Sequence, residues 1–96
     1  MGLLNWLWSE PAPEQVLKVE QQAPSFEQRL TKIVSNSGGL SSKTAEERKD
    51  LITDISEALD ILDGAIQILG ATDLAIRAKQ TRTRLRTTRT KAEKAA

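Results

Sequence analysis

Leu51–Leu69, LITDISEALDILDGAIQIL, decides the fold. Ile52, Ile55, Leu59, Leu62, Ile66 and Leu69 recur along it at spacings of 3, 4, 3, 4 and 3 residues. That period returns side chains to one face of an α-helix, whereas a strand would alternate every second residue. Leu51, Ala58, Ile61, Ala65 and Ile68 widen the stripe to about half of the helix circumference. Glu46, Asp50, Asp54, Glu57, Asp60 and Asp63 occupy most of the remainder. A two-stranded coiled coil needs only a narrow seam. An arc this wide must be buried on two sides by other helices, and the six heptad residues form the expected helix-association face.

The stretches on either side extend this all-α reading. Thr44 followed by Glu47 fits a capping box, in which side chain and backbone satisfy each other's free N–H groups. The acidic amphipathic helix is therefore expected over about 44–69, within an acidic segment 44–73. Gly70 suits the left-handed residue that ends a helix, and Thr72 or Asp73 suits the cap of the next. Beyond it Leu74, Ala78, Thr81, Leu85, Thr88 and Ala92 keep spacings of 4, 3, 4, 3 and 4, predicting a basic helix over about 72–90. The stretch TRTRLRTTRT at 81–90 also alternates with period two, which makes this the weaker pattern.

The N-terminal third is punctuated. Residues 2–8, GLLNWLW, form an apolar tip, too short for the ~20 apolar residues of a membrane span. No basic region precedes it, so it does not read as a signal peptide, and Trp6 stands where an N-myristoylation pattern wants Ser or Thr. A Pro-containing linker with a short helix at 14–22 is expected over 10–24, because each Pro disfavours helix at the residue before it. Ser25 is placed to cap a second short helix over 25–34 bearing Phe26, Leu30, Ile33 and Val34, and 35–43 reads as a Ser/Gly loop.

Composition narrows the function. There is no Cys and no His in 96 residues, which removes disulfides, thiolate sites and the side chain best suited to proton transfer near neutral pH. The only aromatic residues are Trp6, Trp8 and Phe26. Such a short chain with few large side chains is expected to associate with itself or with other subunits. The net charge of +1 hides a strong asymmetry, about −6 over residues 1–73 and +7 over 74–96.

Three constellations were candidates for chemistry. SGGLSSKT at 37–44 ends like a phosphate-binding loop, but Ser37 and Ser42 stand where that motif needs glycine and no strand precedes it. Asp50/Asp54 and Asp60/Asp63 lie one helical turn apart, too few oxygens for a hard-cation site. With no nucleophile–base pair to start from, the chain is expected not to be an enzyme and to use no cofactor and no metal. The Arg-rich tail is the more specific signal: Arg77, Arg82, Arg84, Arg86, Arg89 and Lys91 are the expected anion- or phosphate-binding residues. Interleaved Thr hydroxyls are expected to add phosphate contacts, and no aromatic stands nearby for base stacking. The competing use of these cations is pairing with acidic faces of the same or a neighbouring subunit. Leu3, Leu4, Trp6, Leu7 and Trp8 form a docking tip, better suited to a protein groove than to a membrane since no cationic face assists insertion.

These parts describe a small, elongated, non-enzymatic linker subunit of a larger assembly, such as a virion or another nucleic-acid-containing particle. It docks by its apolar N-terminus and meets an anionic surface with its basic C-terminus. Its expected partners are other protein subunits and nucleic acid or another polyanion, in the cytoplasm or in a particle assembled there. Two rival uses of the same parts are a dimeric, sequence-independent nucleic-acid-binding regulator and a membrane-peripheral adaptor.

Overall fold

The computed structural model describes residues 11–35 and 42–94, with side chains in the second segment from Ala45 onward. Its elements are three helices, α1 (Ala12–Ser35), α2 (Ser42–Leu69) and α3 (Asp73–Lys94). They pack side by side into a bundle of 45 × 23 × 16 Å. The all-α reading holds, with no strand among the described residues.

Helix α1 is continuous where two short helices were expected. Ala12, Val16, Val19, Ala23, Phe26, Leu30 and Ile33 are all buried, and their spacings of 4, 3, 4, 3, 4 and 3 form one unbroken seam across Pro24. Pro13 sits in the first turn, where its missing N–H has no helical partner to lose. The first turn closes when Gln15 N–H donates to the Pro11 carbonyl at 3.0 Å. Pro24 is exposed and removes one helical hydrogen bond, costing about 3 kcal/mol. Burial contributes about 1.5–3 kcal/mol for each of Val16, Val19, Phe26, Leu30 and Ile33, so packing outweighs the proline. Ser25 therefore lies inside the helix, exposed, rather than at a cap.

The backbone of α2 begins at Ser42, two residues before the expected Thr44 cap. Its innermost line is Leu51, Ile55, Ala58, Leu62 and Ala65, each fully buried. Ile52, Ile66 and Leu69 are partly buried against the core, and Ile68 is 76% exposed. The wide arc is covered from both sides by the chain's own helices. Asp54 is bonded to Arg29 of α1, while Ser56 and Asp63 meet Arg89 and Arg82 of α3. Ile61, one heptad beyond Asp54, is buried toward α1, and Leu59, between Ser56 and Asp63, toward α3. The covering that composition led one to seek in other subunits is thus supplied within one chain.

The turn between α2 and α3 follows the residues. Gly70 adopts φ +63° and its N–H donates to the Ile66 carbonyl at 3.0 Å, a left-handed helix end that suits glycine. The Thr72 hydroxyl accepts from Ala75 N–H at 3.2 Å, capping α3. Along α3 the buried residues are Ala75, Ala78, Thr81, Leu85, Thr88 and Ala92, with Leu74 half-buried. All but Leu85 are small or β-branched, so this helix approaches its neighbours with little bulk. The Thr88 hydroxyl donates to the Arg84 carbonyl at 3.0 Å, which satisfies it inside the interface.

Candidate anion-binding face

Helix α3 carries eight cations, and its two neighbours consume part of them. Toward α1, Arg77 bonds Glu20 at 2.9 Å, and Arg84 grips Glu27 through two nitrogens, one of them at 2.9 Å. Glu20 to Glu27 and Arg77 to Arg84 are both steps of seven residues in the same direction, so α1 and α3 run parallel in heptad register. Toward α2, Arg82 bonds Asp63 at 2.9 Å and Arg89 approaches Ser56 at 3.5 Å. Those two contacts step seven residues in opposite directions, as antiparallel helices require. Arg89 also lies 3.9 Å from Glu93, one turn along its own helix.

The remaining four, Lys79, Arg86, Lys91 and Lys94, are exposed, and their side chains make no hydrogen bond or ion pair among the described residues. Arg86, Lys91 and Lys94 rim a shallow depression of about 440 Å³ floored by Thr83, Thr87 and Thr90. Small threonines set between long cations leave the hollow. The three hydroxyls donate to the carbonyls of Lys79, Thr83 and Arg86 at 3.1, 3.1 and 2.9 Å, so their protons are already used. The cations, rather than the threonines, present donors outward. On the α1 side, the charge of Lys91 is also felt at Glu27. Arg84's hydrogen bonds, helped by the charges of Arg84 and Lys91, hold the Glu27 carboxyl below the usual glutamate range against the opposing effect of burial.

The expected anion-binding residues therefore divide. Arg77, Arg82 and Arg84 are engaged in ion pairs between helices, Arg89 is partly engaged, and Arg86 and Lys91 are open. Lys79 and Lys94 belong with the open pair, although the Arg-centred reading left them out. The signal that would have found the division is the Glu20/Glu27 and Arg77/Arg84 match in heptad spacing. Of the helix-association face, Ile55, Leu59 and Leu62 are buried inside the bundle, with Ile52, Ile66 and Leu69 at its margin. The docking tip Leu3, Leu4, Trp6, Leu7 and Trp8 lies outside the described residues, as does most of the Ser37–Thr44 loop. Among the described residues no group of three or more carboxylates could hold a metal ion, and no helix is long and apolar enough to cross a membrane. No protein-family model, no curated protein and no solved structure matches this chain, so its functional reading rests on residues and geometry alone.

Proposed function

We propose that this chain is a non-enzymatic helical linker that joins an apolar partner at one end to a polyanion at the other. The observation that carries the reading is the set of four open cations on α3, left over after the bundle has used the rest. Three of them cluster in the last turns of α3. The chain enters α1 at the opposite end of the bundle, beside the Gly70–Thr72 turn. At 1.5 Å per residue, Asp73 and Lys94 lie about 30 Å apart along α3. Pro11, which follows the Leu3–Trp8 segment in sequence, thus lies at the end remote from the cationic depression. Such a division suits a spacer in an assembly that contains both protein and polyanion.

Retention of the full chain on immobilised heparin tests this. Wild-type protein is expected to bind at low ionic strength and to elute with moderate salt, and R86E/K91E/K94E to flow through. Flow-through of the wild type at low salt would remove the reading.

A further inference from the structure

Resting on that reading, we infer that the polyanion is a nucleic-acid phosphate backbone, held without regard to sequence by Lys79, Arg86, Lys91 and Lys94. Three features of α3 select this chemistry. The open cations are strung along one straight helix. Lys79 to Lys94 covers about 22 Å, the rise of about six base pairs of duplex. Such an extended set, spread on both sides of the threonine stripe, suits an array of phosphates better than one compact anion.

The floor between the cations of the depression is threonine, and the only large apolar side chain exposed on α3 is Ile76, one turn before Lys79 and nearly three turns before Arg86. A membrane-binding helix would bury an apolar face beneath its cations. Here the inner face of α3 is already committed to α1 and α2, and the single exposed Ile76 is no continuous apolar face. Finally, no aromatic ring stands among the cations, which disfavours binding by base stacking and favours phosphate contact.

The partition of the eight cations makes the inference quantitative. Each phosphate neutralised on duplex DNA contributes about −0.9 to the slope of log affinity against log salt. Four open cations give a slope of about −3 to −4, whereas eight would give about −7. The experiment is fluorescence anisotropy of a labelled 20-base-pair duplex with the full chain, titrated at several salt concentrations. R86A and K91A are each expected to reduce the slope by about 0.9. R77A and R82A are expected to leave it unchanged to within a few tenths, because those side chains are held by Glu20 and Asp63. Helix content by circular dichroism accompanies each variant. Should R82A lose its fold, R77A, which breaks a more exposed pair, gives the comparison alone.

Equal slopes for two duplexes of unrelated sequence support the inference. It is overturned if R77A lowers the slope as much as R86A does, or if the wild-type slope is near −7. Two further arms separate it from the linker reading. Binding to phosphatidylserine vesicles or polyglutamate but not to the duplex would overturn the nucleic-acid assignment and leave the linker reading standing. Absence of binding to every polyanion, heparin included, would overturn both.

Discussion

Asp54 lies buried at the α1–α2 interface, its Oδ2 accepting a 2.9 Å hydrogen bond from Arg29 Nη1. Its side chain is 9% exposed and that of Arg29 33%, so water reaches the guanidinium far more readily than the carboxylate. Removing the arginine strands a buried negative charge, whereas removing both partners removes the need for either. R29A is expected to cost about 2–3 kcal/mol, and R29A/D54A less than R29A alone. Urea unfolding midpoints followed by circular dichroism measure both. A double variant no better than the single would show that Asp54 does not depend on Arg29.

Pro24 shows where the fold was legible in the sequence and where it was not. The heptads of α2 and α3 were visible because nothing interrupts them, and the Gly70 end and Thr72 cap were visible because few residues suit those positions. The continuity of α1 was hidden. Locally, Ala23-Pro24-Ser25 carries the signs of a helix end and a new cap. Only the seam running from Ala12 through Ala23 and Phe26 to Ile33 overrides them, and its energy comes from contact with α2 and α3 rather than from the segment itself. Since Pro24 is exposed, P24A restores a backbone hydrogen bond without disturbing packing. It is expected to raise stability by about 1–3 kcal/mol, read as a higher thermal midpoint. A lower midpoint would mean that α1 needs the proline.

Two glycines bracket the last turns of α2 and are expected to respond in opposite directions. Gly64 is exposed within the helix, and a Cβ there would meet nothing within 4 Å. G64A should stabilise the protein by about 0.5–1 kcal/mol, through the lower backbone entropy of alanine in the unfolded chain. Gly70 has equal space but φ +63°, so G70A should destabilise by about 1 kcal/mol from backbone strain alone. Thermal melts of the pair check the contrast, and a destabilised G64A would contradict the open surroundings of that position.

The candidate site was legible as a set of residue types and not as an arrangement. Sequence places eight cations on α3 but does not pair them with carboxylates directly, because the partners lie 19 and 57 residues away. The heptad match of Glu20/Glu27 to Arg77/Arg84 counts only between two continuous helices. Glu20 and Glu27 become partners only once α1 is a single helix lying parallel to α3. The continuity of α1 through Pro24 and the division of the Arg tail are therefore one fact. With α1 continuous, its acids fall into register with Arg77 and Arg84, and the open set contracts to Lys79, Arg86, Lys91 and Lys94.

The Glu27–Arg84 contact makes that register measurable by pH. Hydrogen bonds from Arg84 lower the Glu27 pKa in the folded chain, while Glu27 in turn raises that of Arg84 beyond any useful range. A carboxyl depressed on folding stabilises the native state fully above its unfolded value, near 4.5, and loses that contribution as the pH falls through the folded value. The gain of wild type over E27Q should therefore be present at pH 7 and shrink below about pH 4.5. Both groups are exposed, so the difference is small and should diminish with added salt. Urea midpoints of wild type and E27Q at pH 7 and pH 3, each at low and high salt, supply the comparison. A gain that persists unchanged at pH 3 would place its origin in packing by Glu27, and would remove the charge register by which α1 claims Arg84.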